Sequence, residues 1–438
     1  HLVDSWNLLR ASSTTAFSAQ LNLMKLVKWL VVLGTLALPA CTSEDSESRT
    51  LLVPQDYTTI QSAVDEARSG DLVLISPGTY SESVRIVQDN LVIRGLERNT
   101  VVINGGDELS NGFEVSGNSV AIENLTVKSF RQNGIIFSGA LRGPVSNEGV
   151  YGTDENTLDG YRVSYVTSFN NGLYGVYAFA SKNGIIEHSY VSGHPDSGIY
   201  VGQCRPCNVV IRSTNAENNA IGYYGTNASS NVWVIESVFR GNRLGITPNS
   251  QKAEMLSPQR GATIAANLVE DNDNPNAPEI PQGFFGGGIV IGGGTANLVA
   301  RNVVRGHAWA GIVIMPLNDL IPMDNEIHGN VSQANGTDLL FVGRPEDSLK
   351  NCFSENVFVT STPADIEQKM SCVSEATLRN PTTYSQPNGP PGPSYRDVAP
   401  PSKQVSMPNA ATASLGLPIN EPLYPILEDL VVPIGQSS

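Results

Sequence analysis

A glycine followed by an apolar or aromatic residue recurs along this chain as Gly134-Ile135, Gly175-Val176, Gly198-Ile199, Gly222-Tyr223, Gly245-Ile246, Gly288-Ile289 and Gly311-Ile312. The steps are 41, 23, 24, 23, 43 and 23 residues. A second column, an Asn or Ser closing a short apolar run, keeps phase with the first at Asn124, Ser164, Ser189, Ser213, Ser237, Asn267, Asn302, Asn325 and Asn356. Because both columns advance together, each long step is a single turn carrying an insertion, one near 139–158 and one split over about 248–260 and 271–285. A unit of some 23 residues with short β-branched runs and no helical period cannot bury its own apolar face, so the units must stack. Equivalent strands then lie parallel at about 4.8 Å, and the recurring Asn and Ser bond to their counterparts one turn away. The expected fold is all-β, a parallel β-helix.

The segment from Leu51 to Gly105 carries Tyr57-Thr58-Thr59-Ile60-Gln61-Ser62-Ala63, then Gly70-Asp71, Pro77-Gly78-Thr79-Tyr80 and Val92-Ile93-Arg94-Gly95. These residues resemble the start of right-handed parallel β-helix proteins of the pectin-lyase-like superfamily, and the resemblance extends over about 51–360. It implies a right-handed coil. It leaves the activity open, because the superfamily holds lyases, hydrolases, epimerases, adhesins and non-catalytic modules. Thr58 or Thr59 is placed to cap a helix over about 59–68 that covers the open end of the first coil. The expected organisation is an upstream segment over 1–23, a signal peptide over 24–40, a linker over 41–50, the β-helix over 51–380 and a Pro-rich tail over 381–438.

Met24 is followed by Lys25, Lys28 and an apolar run from Trp29 to Leu38, too short to span a bilayer and built like a signal peptide. Leu38-Pro39-Ala40-Cys41 resembles the bacterial lipobox, which implies lipidation of Cys41, export and membrane attachment at the cell envelope. Ordinary secretion with cleavage near Ala40 is the alternative. Export makes disulfides the expected state of Cys204, Cys207, Cys352 and Cys372, with Cys352 and Cys372 as one bridge. No second ligand pair completes a zinc site with Cys204 and Cys207. The formal charge is −15, and the leader carries Arg10, Lys25 and Lys28 against Asp4, so the remainder is two charges more acidic. That field disfavours nucleic acid as a partner.

Strand alternation places the position two after each column glycine on the outer face, where Tyr177, Tyr200 and Tyr224 follow one another on consecutive turns. Aromatic faces with hydroxyl tips suit stacking on sugar rings, and both insertions flank these turns. Tyr177, Tyr200 and Tyr224 are therefore the expected binding residues for a polysaccharide; a ladder that only shields the sheet is the other reading. Candidate catalytic groups are His194 and Asp196 in the bend before Tyr200, Tyr200 itself, and Arg243 at the position matching Asp196 two turns on. Elimination or epimerisation at a uronate needs a base, an acid and a cation, roles these residues could divide. The set resembles the Tyr, His and Asp group of alginate epimerases and lyases, although the order His-Pro-Asp departs from that pattern. His194 also has a turn-forming reading, since Gly306-His307 repeats the spacing of Gly193-His194. Paired carboxylates for glycoside hydrolysis are present, but no spacing singles out a pair. No cofactor or bound metal is expected, except that Asp271-Asn272-Asp273-Asn274 offers oxygens for Ca²⁺. A monomeric polysaccharide-binding protein competes with a non-catalytic scaffold, as in the periplasmic β-helix protein that helps assemble the copper site of nitrous oxide reductase.

Overall fold

The computed structural model describes residues 48–143, 157–281, 283–348, 350–418 and 420–434. Three parallel sheets run the length of a single coil: sheet A with twelve strands, sheet B with ten and sheet C with eleven. Each turn visits them in that order, as in Val209–Arg212 in A, Asn215–Glu217 in B and Ile221–Ala228 in C. The coil is a right-handed parallel β-helix. Helix α1 (Ile60–Glu66) lies over its N-terminal end, with the Thr59 side chain accepting from the Ser62 backbone N–H and Ile60, Ala63 and Val64 buried.

The glycine column is in register, because Ile135, Val176, Ile199, Tyr223, Ile246, Ile289 and Ile312 pair in succession and all point into the core. Its cause is a close approach of turns. A Cβ on Gly222 would stand 2.7 Å from the carbonyl oxygen of Gly245, and one on Gly245 would stand 2.5 Å from that of Gly288. No side chain fits there.

The polar column is real but sits elsewhere in part. Between sheets A and B the bonded rungs are Ser189, Thr214, Ser237, Asn267, Asn302, Asn330 and Asn356. Thr214 and Asn330 thus replace Ser213 and Asn325. Ser213 takes the left-handed φ of 48° that turns the chain, and Asn325 belongs to a second ladder with Asn297 and Asn351. Each rung satisfies buried backbone N–H groups that no sheet ladder reaches.

The segment from 381 is a strap. It passes Phe285 and Arg243 at Gln386 and Pro390, meets Asn170 at Val398, and binds Asn99 through Gln404. Crossing onto sheet A, it is gripped by buried Arg94, whose guanidinium donates to the carbonyls of Ala410, Ala413 and Ser414 and to Glu123. It then runs back along that face, where Tyr424 stacks on Trp233 and Leu430 packs against Val210 and Ile235.

Candidate functional site

Tyr177, Tyr200 and Tyr224 stand opposite one another in sheet C, on strands Tyr174–Phe179, Ser197–Cys204 and Ile221–Ala228. The rings of Tyr177 and Tyr200 stack at 4.8 Å with planes 24° apart, and Tyr224 meets Tyr200 edge-on at 6.0 Å. They do not form an open face. Tyr200 and Tyr224 are buried, and Tyr177 is partly buried. The outward direction holds, but the second insertion folds back over it: Asn227 donates to the carbonyl of Gln251 and to Glu254 Oε2, and its own Oδ1 accepts from the Gln251 backbone. Ile280 and Phe284, from the other half of that insertion, pack on the same apolar patch with Leu244 and Trp309. The partly open wall is made by Tyr174, Tyr177 and Phe179.

Asp196 lies at the foot of this wall. Tyr174 Oη donates to its Oδ2 at 3.1 Å, while its Oδ1 is buried without a hydrogen-bond partner among the described residues. Burial raises the carboxyl to about 6, with the Tyr174 bond opposing. Glu254 is also raised by burial, against the Asn227 bond. Both carboxylates act on the hydroxyls of Tyr177 and Tyr224, which burial already raises, that of Tyr224 to about 12. Neither Asp196 nor Glu254 has an ion-pair partner among the described residues. The arrangement is two carboxyl groups beside an aromatic wall, one of them holding its proton up to about pH 6.

His194 and Arg243 are not part of it. His194 is fully buried inside the coil, with Nδ1 2.7 Å from Asn219 Oδ1 and Nε2 3.3 Å from Asn171 Nδ2. The ladder continues through Asn219, Asn242 and Asn272 to His307, so both histidines are rungs of the bend between sheets B and C. The repeated Gly-His spacing is turn-forming, and burial lowers both imidazoles to about 4. Arg243 is held by the strap: its guanidinium donates to the carbonyls of Pro390 and Ala277 and lies 5.0 Å over the Phe285 ring. It therefore supplies no cation to Tyr200.

The disulfides are Cys204–Cys207 and Cys352–Cys372. In the Asp271 to Asn274 run, Asn272 turns inward as a rung, so the four side chains do not gather around one ion. Among the described residues no group of three or more His, Cys, Asp or Glu is arranged to hold a metal, and no helix is long and apolar enough to cross a membrane. Cys41 and residues 144–156 of the first insertion lie outside the described residues.

Tyr174, Phe179 and Glu254 were not legible as site residues. Tyr174 was detectable as the residue before a column glycine, one turn from Asp196. Glu254 lies in an insertion without period, where nothing local marks its direction.

Fold and ladders define a solenoid of the parallel β-helix class. Residues 96–360 match the family described as the right handed beta helix region, and the chain belongs to that family. No curated protein matches the sequence. Solved structures of similar fold include the Dettilon tailspike protein, at 12% identity and TM-score 0.50, covering 72% of this chain and 63% of that one. The A-module of a mannuronan C-5 epimerase from Azotobacter vinelandii aligns at 12% identity and TM-score 0.47, over 69% of this chain and 91% of that one. A pectate lyase aligns at 13% identity and TM-score 0.42, over 72% and 77%. At these identities the likeness is one of fold.

Proposed function

We propose that this is an exported, carbohydrate-active β-helix that holds a glycan against Tyr174, Tyr177 and Phe179, with Asp196 as its proton donor. The observation that carries the reading is the Asp196 carboxyl, largely buried, raised to about 6, bonded on one oxygen to Tyr174 and on the other without a partner among the described residues, beside stacked aromatic rings. A raised carboxyl in a partly dry site is suited to protonating a leaving glycosidic oxygen. Glu254 supplies the second carboxylate that cleavage of a glycosidic bond by water requires. Uronate elimination or epimerisation is less well served, because Arg243 is occupied by the strap and no other described cation faces the tyrosines. The sugar unit at Asp196 is therefore an uncharged one. Anchoring through Cys41 and an envelope location rest on the leader sequence and on the two disulfides.

The test is to incubate the purified protein with a panel of neutral and acidic polysaccharides and measure new reducing ends beside ultraviolet-absorbing unsaturated ends. Reducing ends without unsaturation, lost in Asp196→Asn, are expected. Unsaturated product would instead mean elimination. Neither binding nor cleavage of any glycan would leave the scaffold reading, which the covered Tyr200 and Tyr224 favour.

A further inference from the structure

Three strands of sheet C precede the tyrosine wall on its N-terminal side in the same outward column. Arg85 pairs with Glu114, Glu114 with Ile136 and Ile136 with Tyr177. At about 4.8 Å per strand, Arg85 stands some 14 Å from Tyr177, the reach of a few linked sugars. Beside it is a concavity of about 480 Å³ lined by Arg85, Val87, Asp89, Ser116, Asn118 and Arg142, with Leu141 completing the wall. Its surface is largely polar, unlike the apolar patch around Tyr200.

Arg142 is held in place there. Its Nε donates to the Ser116 carbonyl at 2.9 Å and its Nη2 to Asn118 Oδ1 at 2.6 Å, which leaves Nη1 for another acceptor. Arg85 is exposed, and neither guanidinium has an ion-pair partner among the described residues. Asp89 is the one acid among the described lining residues, and its Oδ1 already accepts from the Asn118 backbone N–H. Glu114, the next acid along the column, takes the Asn111 amide. In a chain of net charge −15, two guanidinium groups facing one concavity and without an ion-pair partner among the described residues make a local positive site.

We propose that Arg85 and Arg142 form a subsite for a carboxylate or sulfate substituent of the glycan whose uncharged unit lies at Tyr177 and Asp196. This rests on the glycan reading of that wall and names its substrate class, a heteropolysaccharide with acidic groups spaced between neutral units. It also reconciles an acidic protein with an acidic polymer, since only one end of the face is required to bind charge.

The experiment is NMR of the full chain, following arginine side-chain Nε–H signals during titration with methyl glucuronide and with methyl glucoside. The glucuronide is expected to move the Arg85 and Arg142 signals saturably and the glucoside to leave them in place. Arg85→Gln, chosen because Arg85 is exposed and supports no other residue, is expected to weaken glucuronide binding about fivefold. Equal shifts with both sugars, or unchanged affinity in the variant, would overturn the subsite. If glucuronide binds as expected while Tyr177→Ala and Asp196→Asn leave binding of neutral oligosaccharides unchanged, the subsite stands and the glycan wall falls.

Discussion

The Nδ1 of His194 lies 2.7 Å from Oδ1 of Asn219, inside the coil and one turn away from it. With Asn171 on Nε2, both ring nitrogens are engaged, and the imidazole does the work that asparagine does on neighbouring turns. His194→Asn is therefore expected to keep fold and activity. His194→Ala, which takes one buried partner each from Asn171 and Asn219, should cost about 1–3 kcal/mol. Urea denaturation of both variants, beside their glycan turnover, checks the assignment; a large loss of turnover in a fully stable His194→Asn protein would contradict it.

Buried neutral histidines have a further consequence. The unfolded imidazole titrates near 6.5 and the folded ones near 4, so the unfolded state takes up protons first. Stability should fall as pH drops from about 6.5 to about 4 and then level off from this cause. Asp196 acts in the opposite sense, since its folded value of about 6 exceeds the unfolded 3.8, and its contribution is lost as pH rises through that interval. Denaturation midpoints of His194→Asn and Asp196→Asn across pH 4–7 should separate the two, the first variant flattening the acid side and the second the neutral side.

Proton donation by Asp196 fixes the direction of a pH–rate profile. Turnover should decline as pH rises through about 6, where the carboxyl ionises. Tyr174→Phe removes the bond that opposes this raised value, so the limb should move to higher pH. A profile flat from pH 5 to 8 would remove Asp196 from the chemistry.

Tyr177 and Tyr200 stack on one another but differ in access. Tyr177→Ala is expected to weaken glycan binding with modest loss of stability. Tyr200→Ala empties a buried site and should cost about 3–5 kcal/mol. Binding and unfolding measured on both variants test the difference, and equal stability losses would mean that Tyr177 is core as well.

The strap depends on one buried cation. Arg94→Met breaks the bond to Glu123 and frees three strap carbonyls, leaving Glu123 with Arg162 alone, at 3.3 Å. A loss of about 3–5 kcal/mol is expected, with new protease cleavage between 405 and 418. Unchanged proteolysis would show that the apolar contacts of Leu415 and Leu417 suffice.

The solenoid was legible because every turn repeats the same local problem. Gly222 and Gly245 are glycines since the next turn's carbonyl leaves no room for Cβ, and Thr59 caps α1 through a contact three residues long. Repetition marks such positions in one dimension. Its resolution is limited: Ser213 for Thr214 and Asn325 for Asn330 are errors of ladder position, because several polar residues share each bend and only the bonding direction separates them.

What lies over the sheet was not legible. The sequence by itself determined the fold, its register, the order of the tyrosines and the pairing of the cysteines, all of which follow from contacts between adjacent turns or within a short span. Only the tertiary structure decided that Gln251 and Glu254 fold back onto Asn227 above Tyr200, and that the Pro390 carbonyl, 147 residues away, takes the Arg243 guanidinium. Those contacts join segments without period, and whether a residue on the outer face meets solvent, an insertion or the strap is set by where those segments come to rest.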